Sequence, residues 1–133
     1  MPTVSNSIRT AVNTMDDVRR ALMKILQDMG IIKRNTVTVD AAYSITRFDS
    51  IIYVDAEDAL PAVGINITLP PTGNLSRGFQ VDVKKIDIST NKVTIKVDNE
   101  DTETIDLATD LEISTPQASR TLSCNGGVLW HVL

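Results

Sequence analysis

His131 is the only histidine in the chain and sits two residues before Leu133. A nucleophilic triad or an imidazole base would have to be built on it. No glycine pattern of the nucleophile-elbow kind surrounds it, and it alternates with Trp130. That alternation predicts a surface imidazole on a strand whose Trp130 fills the core. Cys124, the only cysteine, follows Leu122 by two residues and precedes Asn125-Gly126-Gly127. A reactive thiolate needs an electropositive setting, which the neighbouring residues do not supply, so Cys124 reads as a small buried apolar residue. One cysteine also excludes an intramolecular disulfide framework and a multi-cysteine zinc site.

Carboxylates are the other candidates. Asp98-Asn99-Glu100-Asp101-Thr102-Glu103 offers oxygen ligands for calcium. It lacks the glycine at the sixth position and the glutamate at the twelfth that an EF-hand loop requires, which predicts a solvated acidic turn. Glycoside hydrolysis needs two carboxylates about 5–10 Å apart across a sugar cleft. Two Tyr, two Phe and one Trp leave little aromatic surface for stacking a sugar. The chain is therefore expected to be no enzyme, with no catalytic residue, no bound metal and no cofactor. Asn66-Ile67-Thr68 and Asn74-Leu75-Ser76 match the glycosylation sequon. Without a secretory signal, they carry no expectation of a glycan.

The elements that position these residues fall into two segments. Residues 1–35 carry six basic side chains against three acidic ones, a balance of +3; residues 36–133 carry seven against fourteen, a balance of −7. Phosphate backbones want a basic face. The larger segment is acidic and poor in aromatics, so nucleic acid is not an expected partner. No apolar run reaches the roughly 18 residues of a membrane span, and Met1 to Ser7 lacks the features of a signal peptide. Synthesis in the cytosol and no membrane insertion are the expectations. The 133 residues suit one domain with an appended element.

From Ile8 to Ile32 apolar residues follow a heptad, with Ile8, Met15, Leu22 and Met29 at position a and Ala11, Val18, Ile25 and Ile32 at d. Ser7 is the expected N-cap and Gly30 the expected stop, giving a helix from about Ile8 to Met29. An amphipathic helix lying on its own domain's core is the plain reading of this stripe. The strict seam over three heptads, and the switch to another period after Gly30, favour a parallel coiled coil. Leu22 at a and Ile25 at d lean towards trimers or tetramers. The expected trimer interface is Ile8, Met15, Val18, Leu22, Ile25 and Met29.

After Gly30 the apolar period is two. It runs through Thr36 to Val39, Val63 to Leu69, Phe79 to Val83, Val93 to Val97, Ile105/Leu107, Leu111/Ile113, Leu122/Cys124 and Val128 to Val132, and Ile51-Ile52-Tyr53-Val54 is a short β-rich run. The phase slips to Ile86 and Ile88 across Lys84-Lys85, which suggests a bulge. Turn signals at Pro70-Pro71-Thr72-Gly73-Asn74, Ser89-Thr90-Asn91, Asp98 to Asp101, Thr115-Pro116 and Asn125-Gly126-Gly127 recur at the spacing of sandwiches and barrels. The expected fold is mainly β: an N-terminal α-helix forming a trimeric coiled coil (residues 1–35), then a small antiparallel β-sandwich or barrel-like domain (residues 36–133).

An ordered series of short motifs in the second segment resembles a module of bacteriophage fibre and head-decoration proteins. They are Asp49-Ser50-Ile51-Ile52-Tyr53-Val54-Asp55-Ala56, Asn66-Ile67-Thr68-Leu69-Pro70-Pro71, and Gly78-Phe79-Gln80-Val81 leading into Lys84-Lys85-Ile86-Asp87. Asn91-Lys92-Val93-Thr94-Ile95, Glu103-Thr104-Ile105-Asp106 and the closing Asn125-Gly126-Gly127-Val128-Leu129-Trp130 follow. The resemblance spans about Thr36 to Leu133. Leu107 departs from it, because the module carries glycine after the Glu-Thr-Ile-Asp signature. The turn after Asp98 is acidic where the module carries glycine and small residues.

The resemblance implies a non-enzymatic virion protein, assembled in the host cytoplasm and exposed on the particle as a homotrimeric head fibre or capsid decoration protein. A tail-fibre or baseplate tip recognising a host-surface glycan is the alternative, followed by a free carbohydrate-binding module. The first residues are polar and the charge of the following helix is positive, so Pro2, Thr3, Val4 and Arg9 are the expected attachment residues to a capsid or tail protein. Ordering such a segment costs entropy that only the complex offsets, and three copies at one end raise avidity.

Overall fold

The computed structural model describes residues 4–29 and 35–133, with side chains from residue 14 onward. The chain divides between residues 34 and 35 into two units. The first contains a helix, α1 (Val4–Asp28), and one further helical hydrogen bond runs from Met29 N to Ile25 O at 2.9 Å. It starts a turn earlier than a Ser7 cap predicts. Val4, Ser5, Asn6 and Ser7 include neither proline nor glycine, so each can add a helical bond to an existing nucleus. The expected stop, Gly30, and the last d position, Ile32, lie outside the described residues.

The second unit holds ten strands. They are β1 (Thr36–Val39), β2 (Tyr43–Ser44), β3 (Ile51–Val54), β4 (Ile65–Thr68), β5 (Gln80–Lys85), β6 (Val93–Lys96), β7 (Thr104–Ile105), β8 (Asp110–Ile113), β9 (Ser119–Cys124) and β10 (Leu129–Val132), with a short 3₁₀ turn at Thr72–Asn74. One sheet has the order β1-β3-β5-β9-β10-β7 and the other β2-β4-β6-β8. The protein is thus mainly β, with two sheets and one N-terminal helix.

The expected antiparallel arrangement is corrected: both sheets are mixed. β1, β3 and β5 run parallel, as do β2, β4 and β6, and β7 is parallel to β10. Only β5–β9, β9–β10 and β6–β8 are antiparallel. The reason is topological. From β1 to β9 every successive strand changes sheet, so the chain crosses the core each time; β3, β4, β5, β6 and β8 each pair with the strand two places earlier, while β7 pairs with β10, and β9 with β5 and β10. Thr36 lies beside Ile51, and Ile51 beside Asp82. Parallel partners need a crossover, and here the crossover is a strand of the opposite sheet. Asn125-Gly126-Gly127 alone turns the chain back beside the strand it has just left, pairing β9 with β10.

The core is one apolar cluster drawn from both sheets. Ile52, Val54, Val81, Val83, Leu122, Cys124 and Trp130 face Ile65, Ile67, Val93, Ile95 and Ile113. Each fully buried Val, Leu or Ile contributes about 1.5–3 kcal/mol. Phe79 meets Trp130 edge to face, with centroids 6.1 Å apart and planes at 80°, a favoured aromatic geometry. Gly64, at φ +67°, permits a close approach to the segment around Lys92. A Cβ there would lie 2.2 Å from the Lys92 carbonyl oxygen.

The expected bulge at Lys84-Lys85 is absent. β5 keeps unbroken register with β3 and β9. The inward series continues as Val81, Val83, Lys85 and Asp87, while Ile88 is exposed. The apolar phase slips because an inward ion pair replaces the next two apolar positions.

Candidate functional site

α1 presents the expected seam as an exposed stripe. Met15, Val18, Leu22, Ile25 and Met29 are between 51 % (Leu22) and 69 % (Met15) exposed, with Met23 beside them. Their spacing of three and four residues places them on one helix face. Ile8 lies within α1, but its side chain, with those of Val4, Arg9 and Ala11, is outside the described residues, as are Pro2 and Thr3 altogether. The segment read as a tail through Ser7 is helical from Val4 onward.

In the β unit, the residues best able to do chemistry anchor loops instead. Lys85 Nζ donates to Asp87 Oδ2 at 2.5 Å and to the Ser89 carbonyl at 2.6 Å. Asp87 also accepts from Ala56 N at 2.9 Å, from Ser89 N at 3.0 Å and from the Ser89 hydroxyl. Burial would push the Asp87 carboxyl up, but hydrogen bonds from Lys85, Ser89 and Ala56 and the Lys85 charge outweigh it. Its pKa lies well below the ordinary carboxylate range. Asn91 Nδ2 adds contacts to the carbonyls of Ala56 and Ala59 at 2.9 and 3.0 Å. The Lys-Lys-Ile-Asp and Asn91 motifs thereby tie the loop after β3 to the loop after β5.

Two other buried carboxylates act alike. Asp49 accepts from Tyr43 Oη at 2.8 Å and Thr46 N at 2.9 Å, and Asn35 Nδ2 reaches its other oxygen at 3.3 Å. Burial, then the hydrogen bond and charge of Asp49, push the Tyr43 phenol up. Glu103 accepts from Thr72 N and Asn99 N, each at 2.9 Å. This corrects the reading of 98–103 as a wholly solvated turn. Asp98, Glu100 and Asp101 are exposed, whereas Glu103 is buried. The backbone donors need an acceptor inside. Among the described residues, no group of three or more His, Cys, Asp or Glu could hold a metal ion.

Cys124 and Trp130 are buried and His131 is exposed on the other face of β10, as alternation predicts. His131 Nδ1 lies 3.4 Å from Asp106 Oδ1, both half-exposed. Ser123 is the register partner of His131 across β9 and β10. No hydrogen bond joins Ser123 to His131 among the described residues, so the nucleophile–base contact that acyl transfer needs is not made. Sequence reasoning missed this juxtaposition, because strand register is what brings residues 106, 123 and 131 together.

Two clefts are among those on the β unit. One of about 260 Å³ is lined by Thr104, Asp106, Leu107, Leu129, Trp130 and His131. The other, about 420 Å³, is lined by Ile45, Thr46, Arg47, Pro70, Pro71 and Asn74. The Arg47 guanidinium is 4.9 Å above the Phe48 ring. Compared with known proteins, the chain matches no family model and no curated sequence.

Proposed function

We propose that this chain is a non-enzymatic structural protein of a phage particle: a homotrimer joined through a parallel coiled coil of α1, exposed on the capsid as a head fibre or decoration protein. The exposed seam of Met15, Val18, Leu22, Ile25 and Met29 carries the reading. Motif order from Asp49 to Trp130, resembling phage fibre modules, supports the setting. The use of Asp49, Asp87 and Glu103 as loop anchors supports a structural role.

Magnitudes say that the helix does not act alone. At about 1 kcal/mol for each half-exposed side chain newly buried, five seam residues contribute about 5 kcal/mol per copy. That is near the lower end of the roughly 4–15 kcal/mol that association costs. The β unit therefore adds apolar contact of its own. Attachment to the particle falls to the N-terminal end, including Pro2, Thr3, Val4 and Arg9, with the acidic β unit outward. Light scattering on the full chain tests the assembly: a trimer mass is expected, and a monomer at all concentrations refutes the reading. Electron microscopy of particles carrying a labelled copy tests the location.

A receptor-binding tip for a host-surface glycan is the second reading, favoured by the cleft around Arg47 and Asn74. Glycan-array binding that Arg47→Ala abolishes would select it over decoration.

A further inference from the structure

The connection between β9 and β10, Asn125-Gly126-Gly127, holds the only Asn-Gly pair in the chain. All three residues are exposed. Asn125 Oδ1 accepts from Gly127 N at 2.9 Å, and Asn125 N donates to the Leu129 carbonyl at 3.1 Å. The first of these bonds closes a ring that contains both Asn125 Cγ and the peptide nitrogen of Gly126. It keeps that carbon near that nitrogen. By drawing charge onto the carbonyl oxygen, it also makes the carbon a better electrophile. Among the described residues, nothing bonds the Gly126 N–H or Asn125 Nδ2. Nucleophile and leaving group are both within reach of water.

The fold itself favours glycine at the attacking position. Gly126 lies at φ +89°, and a Cβ there would sit 2.9 Å from Arg77 Cβ. Without a Cβ, no side chain shields the Gly126 nitrogen, and its peptide can turn towards Cγ. The other asparagines of the β unit differ. Asn99 makes the same kind of bond, accepting from Asp101 N at 3.0 Å, but Glu100 follows it. Asn35 and Asn91 spend their side-chain amides on carbonyls of other loops. Ile67 follows Asn66, and Leu75 follows Asn74.

We infer that Asn125 is a site of self-modification, at which the Gly126 nitrogen displaces the side-chain amide. The Gly126 N–H gives its proton to water or hydroxide, and a bond forms from that nitrogen to Asn125 Cγ. The Cγ–Nδ2 bond breaks, and Nδ2 takes up a proton and leaves as ammonia. Water then opens the cyclic imide at either carbonyl, leaving aspartate or isoaspartate at position 125. The net reaction consumes water and releases ammonia, and nothing is oxidised or reduced. Either product places a carboxylate in a turn that had none. Aspartate still offers an acceptor to Gly127 N, whereas isoaspartate adds a methylene to the main chain of the hairpin. This chemistry is independent of the assembly proposed above.

The test incubates the full wild-type chain in neutral and mildly alkaline buffer, with and without urea. Its peptides are then followed by mass spectrometry and by labelling with an isoaspartate methyltransferase. The peptide holding residues 125–127 should gain the mass difference between an amide and a carboxyl and become a methyl acceptor. Its rate should rise with pH, because the nitrogen attacks after losing its proton. In the folded chain, modification at Asn125 should run about tenfold or more ahead of that at Asn99. The folded rate should equal the urea-unfolded rate to within about tenfold, or exceed it. Asn125→Gln, whose longer side chain must close a larger ring, should leave this peptide without a methyl acceptor. An unmodified Asn125, an Asn99 that keeps pace with it, or a folded rate more than about tenfold below the unfolded one overturns the inference. In the last case the hairpin shields the pair that it was argued to present.

Discussion

Lys85 and Asp87, two residues apart, meet at 2.5 Å inside the β unit, with side chains only 0 % and 2 % exposed. They point the same way because β5 and its extension keep the alternation of a strand. Asp87→Ala would strand the ammonium and leave Ala56 N and Ser89 N without their acceptor. Its expected cost is about 3–5 kcal/mol, measurable as a lowered urea midpoint. Lys85→Met should cost less, since Asp87 keeps its donors on Ala56 and Ser89. A change below about 1 kcal/mol for Asp87→Ala would contradict the anchoring role.

The same pair sets an acid limit. The folded-state pKa of Asp87 is lowered from 3.8, so the folded chain holds its proton less readily than the unfolded one. Its contribution is complete above the unfolded value and is lost as pH falls through 3.8 towards the folded value. Denaturation curves for wild type should therefore weaken below about pH 4, and Asp87→Asn should flatten that dependence.

Gly64→Ala places a methyl group against the Lys92 carbonyl at a positive φ. β4 and β6 are parallel partners starting just beyond this point, Ile65 beside Val93. The expected loss is about 2 kcal/mol or more, from strain and displaced backbone together. Thermal melts check it, with Gly73→Ala, where a Cβ meets nothing within 4 Å, as the mild control.

Ile25→Asp should convert the proposed trimer to monomer, because it would bring one carboxylate from each copy into an apolar seam without partners. Leu75→Asp would not serve as a matched control, since Leu75 packs on the β core. Lys24→Asp on the same helix is the better one, and should retain the trimer mass in light scattering.

If the proposed attachment holds, removal of Met1 to Thr3, leaving α1 from Val4, is expected to reduce binding of the chain to particles lacking this protein. Undiminished binding in a pull-down with those particles would place the anchor on the β unit and reverse the proposed polarity.

The chain is expected to release no reducing ends from host polysaccharide and to hydrolyse no ester. Activity that His131→Ala or Ser123→Ala abolishes would instead make the Asp106–His131–Ser123 grouping a site and the structural reading wrong.

The amino-acid sequence by itself determined the local properties. Spacing of three and four makes α1 a helix with one apolar stripe, and alternation sets the inward faces at Ile65/Ile67, Val81/Val83 and Leu122/Cys124. Asn125-Gly126-Gly127 makes its hairpin from neighbouring residues alone. These follow because helix and strand periods are fixed by backbone geometry within a few residues. Tertiary structure alone decided the pairing: β1 with β3 and β4 with β6, through crossovers that turn signals make look like hairpins. It also decided that Lys85, Asp87 and Glu103 face inward, against their ordinary preference for water. A buried charge is tolerable only where remote groups neutralise or hydrogen-bond it, and those groups (Ala56 for Asp87, Thr72 for Glu103) lie thirty-one residues away in the chain. Leu107 shows the same division: its residue type is written in the sequence and alternation with Ile105 would place it in a strand, but the structure puts it in the turn between β7 and β8, exposed and at φ 74°.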